Sequence, residues 1–170
     1  MFALALSADC PAVVIADIHQ RHVGVAHSGW RGTAKNIVQE LVSAMQERGT
    51  QLSDLRAAVS PGICGDCYPV GPEVFEALSE QPGLEQARSP AIVLAGHQGS
   101  GLNLGPILIA QLCAAGLAQQ ALTLHTECSS CSLTEQGKPR FFSHRRDRAR
   151  SGRSAILVGY RSRETLTISE

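Results

Sequence analysis

Short runs of small and β-branched apolar residues open the chain, at positions 2–7, 11–16 and 23–26. Runs of this length and composition are typical of buried strands. From Thr33 the pattern changes, and apolar residues then recur every three or four positions. This spacing predicts a helix that Thr33 caps and Gly49 ends.

The rest of the chain alternates between the same two patterns. Continuous apolar runs predict strands at 55–59, 91–95, 122–125 and 155–160, and longer apolar segments predict helices at 72–78 and 107–117. Because strands and helices interleave without a repeat, we expect a mixed-sheet fold of the α/β or α+β class. The length of 170 residues fits a single domain spanning 1–170.

Composition narrows the class of protein. Apolar residues make up 44% of the chain and charged residues 18%, which excludes disordered and coiled-coil proteins. The longest apolar stretch, 104–118, contains a proline and is shorter than the roughly 18 to 20 residues that span a bilayer, so we expect no membrane helix. No basic residue precedes the short apolar run at the start, so we expect no signal peptide and a cytoplasmic protein.

The polar segment 17–20 separates two predicted strands and indicates a hairpin. If residue 16 pairs with residue 21, then Cys10 lies directly opposite His27. Opposed residues have Cβ atoms about 4.5 to 5.5 Å apart, so a thiol and an imidazole placed there can share one metal ion or one proton. The alternative is a structural role, with a small buried cysteine and a histidine at a strand end.

The neighbours of this pair favour a functional site. Asp9 supplies an acid beside Cys10, and Arg31 lies in a glycine-flanked turn just before the predicted helix. Free N–H groups at a helix N-terminus attract anions. Together these residues offer a nucleophile or metal ligand, a base and an anion clamp.

Two C-x-x-C elements, Cys64–Cys67 and Cys128–Cys131, raise the question of a second site. Paired zinc knuckles are typically about 15 to 20 residues apart, whereas here about sixty residues intervene. A redox pair needs its first thiol at a helix N-terminus, and 62–68 has the pattern of a loop. Without a secretory signal, disulfides are not expected either. We therefore expect these four cysteines not to converge on one metal ion.

Net charge is zero, but residues 140–170 hold 8 basic and 3 acidic side chains. The segment 140–150 interleaves arginines with aromatic residues, a pattern that allows three interpretations. It could bind nucleic acid, place Arg145 or Arg146 in a phosphate site, or form a solvated loop. The strong strand pattern at 155–160 indicates that the segment lies within the fold.

Several stretches together resemble one family. They are Ser-Ala-Asp-Cys-Pro at 7–11, His-Ser-Gly-Trp-Arg-Gly at 27–32, Ser-Pro-Gly-Ile-Cys-Gly-Asp-Cys-Tyr-Pro-Val-Gly at 60–71, Phe-Phe-Ser-His-Arg-Arg-Asp at 141–147 and Ser-Gly-Arg at 151–153. In this order they resemble the signature of the bacterial YfiH-like, or laccase-domain, proteins over nearly the whole chain. The resemblance implies an αββα sandwich related to the cytotoxic necrotising factor deamidase.

The resemblance also implies a chemistry. Members of the family are described as purine nucleoside phosphorylases that also deaminate adenosine. Older descriptions call them multicopper polyphenol oxidases, and some are linked to peptidoglycan precursor editing. The implied zinc ion has three ligands, of which Cys10 and His27 match two.

The third implied ligand is a histidine in a Gln-x-His-Gly motif, which this sequence does not contain. We therefore expect an N-terminally short version of the fold, whose zinc site is empty, partly occupied or completed by a substitute such as His144. Two smaller departures accompany this one. Asn103 stands where the family usually has aspartate, and His144 stands where it often has tyrosine.

The leading hypothesis is a zinc-dependent purine nucleoside phosphorylase that acts on a small nucleoside and phosphate. In it Cys10 and His27 hold the metal, Asp9 orients the thiolate, and three arginines attract phosphate: Arg31, Arg145 and Arg146. One alternative is a non-catalytic domain with structural zinc or with salt-dependent affinity for nucleic acid. The others are a peptidoglycan-precursor hydrolase and a copper oxidase, for which six dispersed histidines are too few. The sequence leaves the oligomeric state open.

Overall fold

The computed structural model describes residues 2–19, 21–94 and 97–160. Its strands are β1 (Phe2–Ser7), β2 (Ala12–Asp17), β3 (Val23–His27), β4 (Leu55–Val59), β5 (Pro69–Val70), β6 (Arg88–Leu94), β7 (His97–Leu102), β8 (Leu122–Leu124) and β9 (Ser154–Gly159). Its α-helices are α1 (Trp30–Ala34), α2 (Ile37–Glu47), α3 (Pro72–Ala77), α4 (Leu84–Ala87), α5 (Leu104–Ala114) and α6 (His144–Asp147). Single 3₁₀ turns occupy Leu52–Asp54, Gly65–Cys67, Gln119–Ala121 and Arg148–Arg150.

The strands form three groups. A four-stranded sheet has the order β3-β2-β4-β8, a three-stranded sheet has the order β5-β7-β6, and β1 pairs with β9 in a ribbon. Within the larger sheet β2 is antiparallel to both neighbours, whereas β4 and β8 run parallel. The expected mixed-sheet fold of helices and strands is therefore confirmed. Of the strand predicted at 91–95, β6 covers 91–94 and residue 95 lies outside the described residues.

The core lies between the four-stranded sheet and the helices α2 and α5. The sheet contributes Val13, Ile15, Leu55 and Val59, α2 contributes Val38 and Val42, and α5 contributes Ile107, Leu108 and Leu112, all fully buried. Each such side chain stabilises the fold by roughly 1.5 to 3 kcal/mol relative to leaving it in water. Among the described helices, none is long and apolar enough to cross a membrane.

The single helix predicted from Thr33 is two helices. Asn36 takes a left-handed conformation, with φ of 53°, and separates α1 from α2. Asparagine tolerates this conformation better than most residues, so the chain bends here without glycine. Thr33 does not cap a helix, because its hydroxyl donates to the carbonyl of Gly29 inside α1 at 3.1 Å. Gly49, with φ of 84°, follows the end of α2 as expected.

A polar contact fixes α1 on the apolar helix α5. The amide of Gln111, buried in α5, donates to the carbonyl of Thr33 at 2.7 Å and to the side chain of Gln81 at 2.6 Å. A buried amide must find such partners, so this contact specifies where α1 docks. Since α1 follows directly on His27, the contact also helps to place the site described below.

The β1–β9 ribbon presents one apolar face outwards. Leu4 pairs with Leu157, and both side chains are exposed, as are those of Phe2 and Leu6. Alternate residues of β9 are half-buried. The ribbon thus follows the two-residue strand period with apolar residues on both of its faces.

Candidate functional site

The β2–β3 hairpin brings Cys10 and His27 to one side of the sheet, but in a different register from the predicted one. Ala16 pairs with Val23 and Ala12 with His27, so the predicted pairing of residues 16 and 21 is wrong by two positions. The turn is longer because the carboxylate of Asp17 accepts hydrogen bonds within it, at 2.7 Å from the N–H of His19 and at 2.7 Å from Arg21. A shift of two residues keeps the same side chains on the same face.

In the observed register Cys10 lies beside Gly29 rather than opposite His27. A Cβ atom on Gly29 would lie 3.1 Å from Cys10 Sγ and 3.8 Å from His27 Nε2. The sulfur and the ring nitrogen therefore border the same small space, which glycine leaves open. His27 Nδ1 lies 3.2 Å from the carbonyl oxygen of Leu6, so it carries the proton in that contact and leaves the Nε2 lone pair facing the space.

Two effects raise the pKa of the Cys10 thiol: its burial, and to a lesser degree the charge of Asp9. A protonated thiol is a poor nucleophile and a poor ligand, whereas a metal ion binds the thiolate and releases the proton. The chemistry of the pair thus suits metal binding better than free nucleophilic attack.

Asp9 joins three loops at this point. Its Oδ1 accepts from the hydroxyl of Ser129 at 2.7 Å, and its Oδ2 accepts from the backbone N–H of Arg145 at 2.7 Å. Its carbonyl accepts from the N–H of Ile63 at 2.8 Å. Asp9 has a φ of 94°, a conformation that aspartate tolerates better than most residues. Because both carboxylate oxygens accept bonds from other loops, the geometry favours a positioning role for Asp9.

A cleft of about 220 Å³ opens beside Cys10, and we call it the Cys10 cleft. Its walls are Ala8, Asp9, Cys10, Ile63, Tyr68, Leu104, His144 and Arg145. The guanidinium carbon of Arg145 lies 5.0 Å from the centre of the Tyr68 ring, and that of Arg31 lies 4.2 Å from the Trp30 ring. Stacking occupies the face of a guanidinium and leaves its N–H edge available to an anion.

The groups around the cleft shift the pKa of Tyr68. Burial and the charge of Cys10 raise the pKa of Tyr68, while Arg145 and Arg31 lower it by less. The phenol therefore stays protonated at neutral pH and can donate a hydrogen bond into the cleft.

Arg146, which the sequence made a candidate for binding phosphate, uses its donors within the chain. Its Nε and one terminal nitrogen bind the two oxygens of Asp147, at 2.9 and 2.7 Å. Its other terminal N–H groups reach the carbonyls of Phe141 at 2.9 Å, Ser130 at 2.8 Å and Ser129 at 3.3 Å. A guanidinium has five N–H donors, and these contacts use all of them. Phosphate could bind Arg146 only by displacing one of these contacts, so its phosphate-binding role stays a prediction.

The two C-x-x-C elements meet, and the prediction that they would not converge is wrong. The sulfur atoms of Cys64, Cys67, Cys128 and Cys131, here called the four-cysteine cluster, all lie within 4.8 Å of one another. All four residues are free cysteines, and they could hold a metal ion.

The cause of this convergence is the parallel pairing of β4 with β8. Parallel neighbours end at the same edge of a sheet, so the loops after Val59 and Leu124 leave side by side. A backbone bridge between Gly62 and Cys128 then joins the two loops. The sequence did contain a signal for this, because each C-x-x-C element follows a predicted strand by a few residues.

Hydrogen bonds distinguish the four thiols. Burial raises the pKa of Cys128, but hydrogen bonds from the backbone of Cys64 and Cys131 and from neighbouring groups outweigh it and lower the pKa. Burial and the contact with Cys128 raise the pKa of Cys64, and raise that of Cys131 to about 11. Cys128 thus ionises more readily than Cys64 and Cys131.

The two sites differ in how many ligands they bring together. In the part of the chain whose side chains the structure describes, the four-cysteine cluster is the one group of three or more potential ligands that converges this closely. At the Cys10 cleft the donor set is one sulfur and one imidazole nitrogen. Both are ligands that zinc prefers, so the two residues present fit two positions of a zinc site.

Comparison with known proteins gives a consistent result. A family model described as "Multi-copper polyphenol oxidoreductase laccase" matches residues 1–161. The chain is 32% identical over 160 residues to "Purine nucleoside phosphorylase YlmD" of Bacillus subtilis (strain 168), over 94% of this chain and 55% of that protein. It is 36% identical over 151 residues to "Adenosine deaminase RL5" from an unknown prokaryotic organism, over 87% of this chain and 54% of that protein.

A solved structure also resembles it, the "hypothetical protein YfiH" of Bacillus licheniformis. The TM-score is 0.78 at 30% identity, over 94% of this chain and 58% of that one. The chain thus spans a little more than half the length of each of these three proteins.

Proposed function

Since this chain belongs to the family described as "Multi-copper polyphenol oxidoreductase laccase", as its motifs led us to expect, we propose that it carries the Cys–His part of a zinc-dependent purine nucleoside phosphorylase. The observation that supports this most is the position of Cys10 Sγ and His27 Nε2 around one small space, beside a cleft in which Arg145 stacks on Tyr68. The names of the similar proteins supply the reaction class.

The residues of the Cys10 cleft suit the demands of phosphorolysis. A phosphate oxygen must form a bond to the sugar C1′ while the bond from C1′ to the purine nitrogen breaks, and the purine must leave with a proton or a hydrogen bond. In this proposal the guanidinium of Arg145, which lines the cleft, binds and orients phosphate, and Arg31, whose charge acts on Tyr68, assists it. The protonated phenol of Tyr68 can donate to the leaving base, and Asp9 holds the surrounding loops.

Zinc is the metal that we propose for Cys10 and His27. When bound it would supply a Lewis acid at the cleft. A third ligand is needed, and His144, which lines the cleft, is our candidate within the chain. Copper oxidases need several histidines arranged together, whereas the histidines of this chain are dispersed along the sequence, so the donor set favours zinc.

Deamination of adenosine is a second candidate, favoured by the similarity to the protein named adenosine deaminase. It would use the same cleft, with water forming a bond to C6 of the purine while the bond from C6 to the amino nitrogen breaks and ammonia leaves. The two reactions differ in product, because phosphorolysis releases the free base and deamination of adenosine yields inosine.

The arginine segment supports an enzyme over a nucleic-acid surface. Arg140 pairs with Glu127 at 2.8 Å, Arg145 stacks on Tyr68, and Arg146 is fully occupied within the chain. Arg148 and Arg150 are exposed, but the segment as a whole offers a polyanion fewer free guanidinium groups than its sequence alone suggests.

The test is phosphate-dependent release of hypoxanthine from inosine by the zinc-loaded chain, followed by chromatography. Free imidazole is added in one series, because it can supply a nitrogen ligand in place of a missing histidine. We expect turnover that Cys10→Ser abolishes and that Arg145→Gln weakens through a higher KM for phosphate, while the exposed Arg150→Gln has no effect. Adenosine as substrate distinguishes the two reactions, since adenine marks phosphorolysis and inosine marks deamination. Failure to form either product, with and without imidazole, overturns the proposal.

A further inference from the structure

The four-cysteine cluster lies outside the machinery proposed above, and its dimensions suit one metal ion. Zinc with four thiolates is tetrahedral with bonds of about 2.3 Å, which places the sulfur atoms about 3.8 Å apart. The four sulfurs already lie within 4.8 Å of one another, so the widest pair must approach by about 1 Å. Small rotations of the cysteine side chains achieve this without rebuilding the backbone.

Two backbone N–H groups near the cluster stabilise negative charge on one of its sulfur atoms. The N–H groups of Cys64 and Ser130 point at Cys128 Sγ, at 3.2 and 3.3 Å. Such N–H groups stabilise the negative charge that a metal-bound thiolate carries. Four separate thiols in a protein core would not require donors of this kind.

The first C-x-x-C element, Cys64–Cys67, packs closely against its surroundings at Gly65. A Cβ atom on Gly65 would collide with the side chain of Ser89, which belongs to β6. A Cβ atom on Gly101 of β7 would likewise collide with the backbone of Gly65. The turn Gly65–Cys67 is therefore held by the β6–β7 hairpin, and glycine is needed within the C-x-x-C element itself.

Arg146 holds the second C-x-x-C element, Cys128–Cys131. Its guanidinium donates to the carbonyls of Ser129 and Ser130, between the two cysteines. This arginine belongs to the surroundings of the cluster, next in sequence to Arg145 of the cleft. Metal ligands are commonly supported in this way by a shell of hydrogen bonds that fixes their orientation.

We propose that Cys64, Cys67, Cys128 and Cys131 bind one structural zinc ion, and that this ion holds two walls of the Cys10 cleft in place. Four soft thiolates favour zinc, and four protein ligands leave no position for substrate, which is the mark of a structural site. The link to the cleft runs through the loops themselves. Ser129 donates to Asp9, and Ile63, next to Cys64, both donates to Asp9 and lines the cleft.

The proposal does not depend on the enzymatic activity, so its test measures metal. The purified chain is passed through gel filtration in metal-free buffer, and its zinc content is determined. The incomplete site at Cys10 and His27 should release its zinc in this buffer, so we expect one zinc ion per chain in the parent protein, in the Cys10→Ser/His27→Ala variant and in Cys113→Ser, a control thiol on α5. We expect Cys64→Ser and Cys128→Ser to lose it.

Cobalt provides a readout on the parent chain itself, which does not depend on how a variant folds. The chain reconstituted with Co²⁺ should show the intense visible bands of a tetrahedral site and strong sulfur-to-cobalt charge transfer. Cys131→His, at the exposed corner of the cluster, should retain the metal with weaker charge transfer, because zinc also accepts three cysteines and one histidine.

Three results would overturn the proposal. They are bound iron in place of zinc, two disulfides in place of four metal-bound thiols, or zinc that leaves with the Cys10→Ser/His27→Ala change but stays in Cys128→Ser. Each of these is distinct from a failure of nucleoside turnover, which concerns the cleft alone.

Discussion

The Cys10 cleft and the four-cysteine cluster are built from the same kinds of side chain, yet they are opposite in design. At the cleft one sulfur and one imidazole nitrogen face an open space beside a cavity. At the cluster four sulfur atoms lie within 4.8 Å of one another. A site that admits substrate must leave part of a metal's coordination open, whereas a site that holds loops gains from closing it.

Arg145 and Arg146 sharpen this contrast, because adjacent residues serve the two sites. The guanidinium of Arg145 stacks on Tyr68 and makes one long hydrogen bond, at 3.5 Å, to the carbonyl of Pro69, which leaves most of its donors unused among the described residues. The guanidinium of Arg146 donates all of its N–H groups to Asp147 and to backbone carbonyls around the second C-x-x-C element. A guanidinium with unused N–H donors can bind a ligand, whereas one whose donors are all used stabilises the loops around it.

The largest expected difference concerns stability. Structural zinc contributes roughly 10 to 16 kcal/mol of binding free energy in small zinc peptides, and part of it appears as folding stability. We expect Cys128→Ser to lower the free energy of unfolding by about 3 to 5 kcal/mol and Tm by about 10 °C. Cys10→Ser should change Tm by no more than about 2 °C. Thermal melts of the zinc-loaded proteins measure both, and equal losses would erase the distinction between scaffold and cleft.

Two glycines of one turn test the open space of the cleft. Gly29→Ala places a Cβ atom 3.1 Å from Cys10 Sγ, between the sulfur and the imidazole. We expect it to weaken metal binding at the cleft by about 10- to 100-fold, a change typical of a misplaced ligand. Gly32→Ala is the control, because its Cβ atom would have ordinary contacts of 3.6 Å and alanine favours a helix.

Zinc titrations monitored by competition with a chromophoric chelator measure these affinities. The zinc of the four-cysteine cluster should be the same in both glycine variants. If Gly29→Ala binds as Gly32→Ala does, the space beside Gly29 is not where the metal sits.

Replacing Arg145 or Arg146 with lysine should affect only the site that the arginine contacts. Lysine cannot reproduce the forked contacts of a guanidinium. Arg146→Lys should therefore weaken zinc binding at the cluster by about tenfold and leave phosphate binding unchanged. Arg145→Lys should do the reverse, raising the KM for phosphate several-fold while the zinc content is kept. Effects of equal size on both measurements would show that the two arginines act as one unit.

The smallest expected effect concerns Asp17, which lies away from both sites. Burial raises the pKa of Asp17, but hydrogen bonds from Arg21, His19 and Thr50 outweigh it, so the pKa is lowered. A lowered carboxyl pKa gives stability that is present above its unfolded value of about 4 and is lost as the pH falls through the folded value.

We therefore expect acid to destabilise the parent chain and the Cys10→Ser variant alike below about pH 4. Asp17→Asn should remove part of this pH dependence, and the exposed Glu47→Gln should leave it unchanged. Urea unfolding at several pH values measures the difference. An acid response that differs between Cys10→Ser and the parent would mean that the cleft and the hairpin turn are coupled.

The local pattern of apolar residues was sufficient to predict some of the strands. Apolar runs located β1, β2 and β3, because a buried strand needs little beyond small and β-branched side chains. The register was missed because it depends on hydrogen bonds of Asp17 within the turn, which strand patterns do not encode. The register error left the face unchanged, so Cys10 and His27 still fall on one side.

The four-cysteine cluster was missed for a different reason. Its geometry follows from β4 and β8 being parallel neighbours, a pairing between segments far apart in the sequence. Spacing rules for zinc knuckles assume a local hairpin and do not apply to loops brought together by a sheet edge. In the same way, the motif that contains Arg145 and Arg146 could not show which of them faces the cleft, because that depends on the loops around α6.

The ribbon of β1 and β9 has a consequence for His27. The carbonyl of Leu6, which orients the imidazole ring, belongs to a pair of strands with one face in water. Two-stranded ribbons gain less from burial than a central sheet, so their amide protons exchange through local opening well before global unfolding. Each such opening moves the Leu6 carbonyl away from the imidazole. The orientation of one proposed ligand is therefore fixed at the periphery of the molecule, by a strand that contributes no ligand.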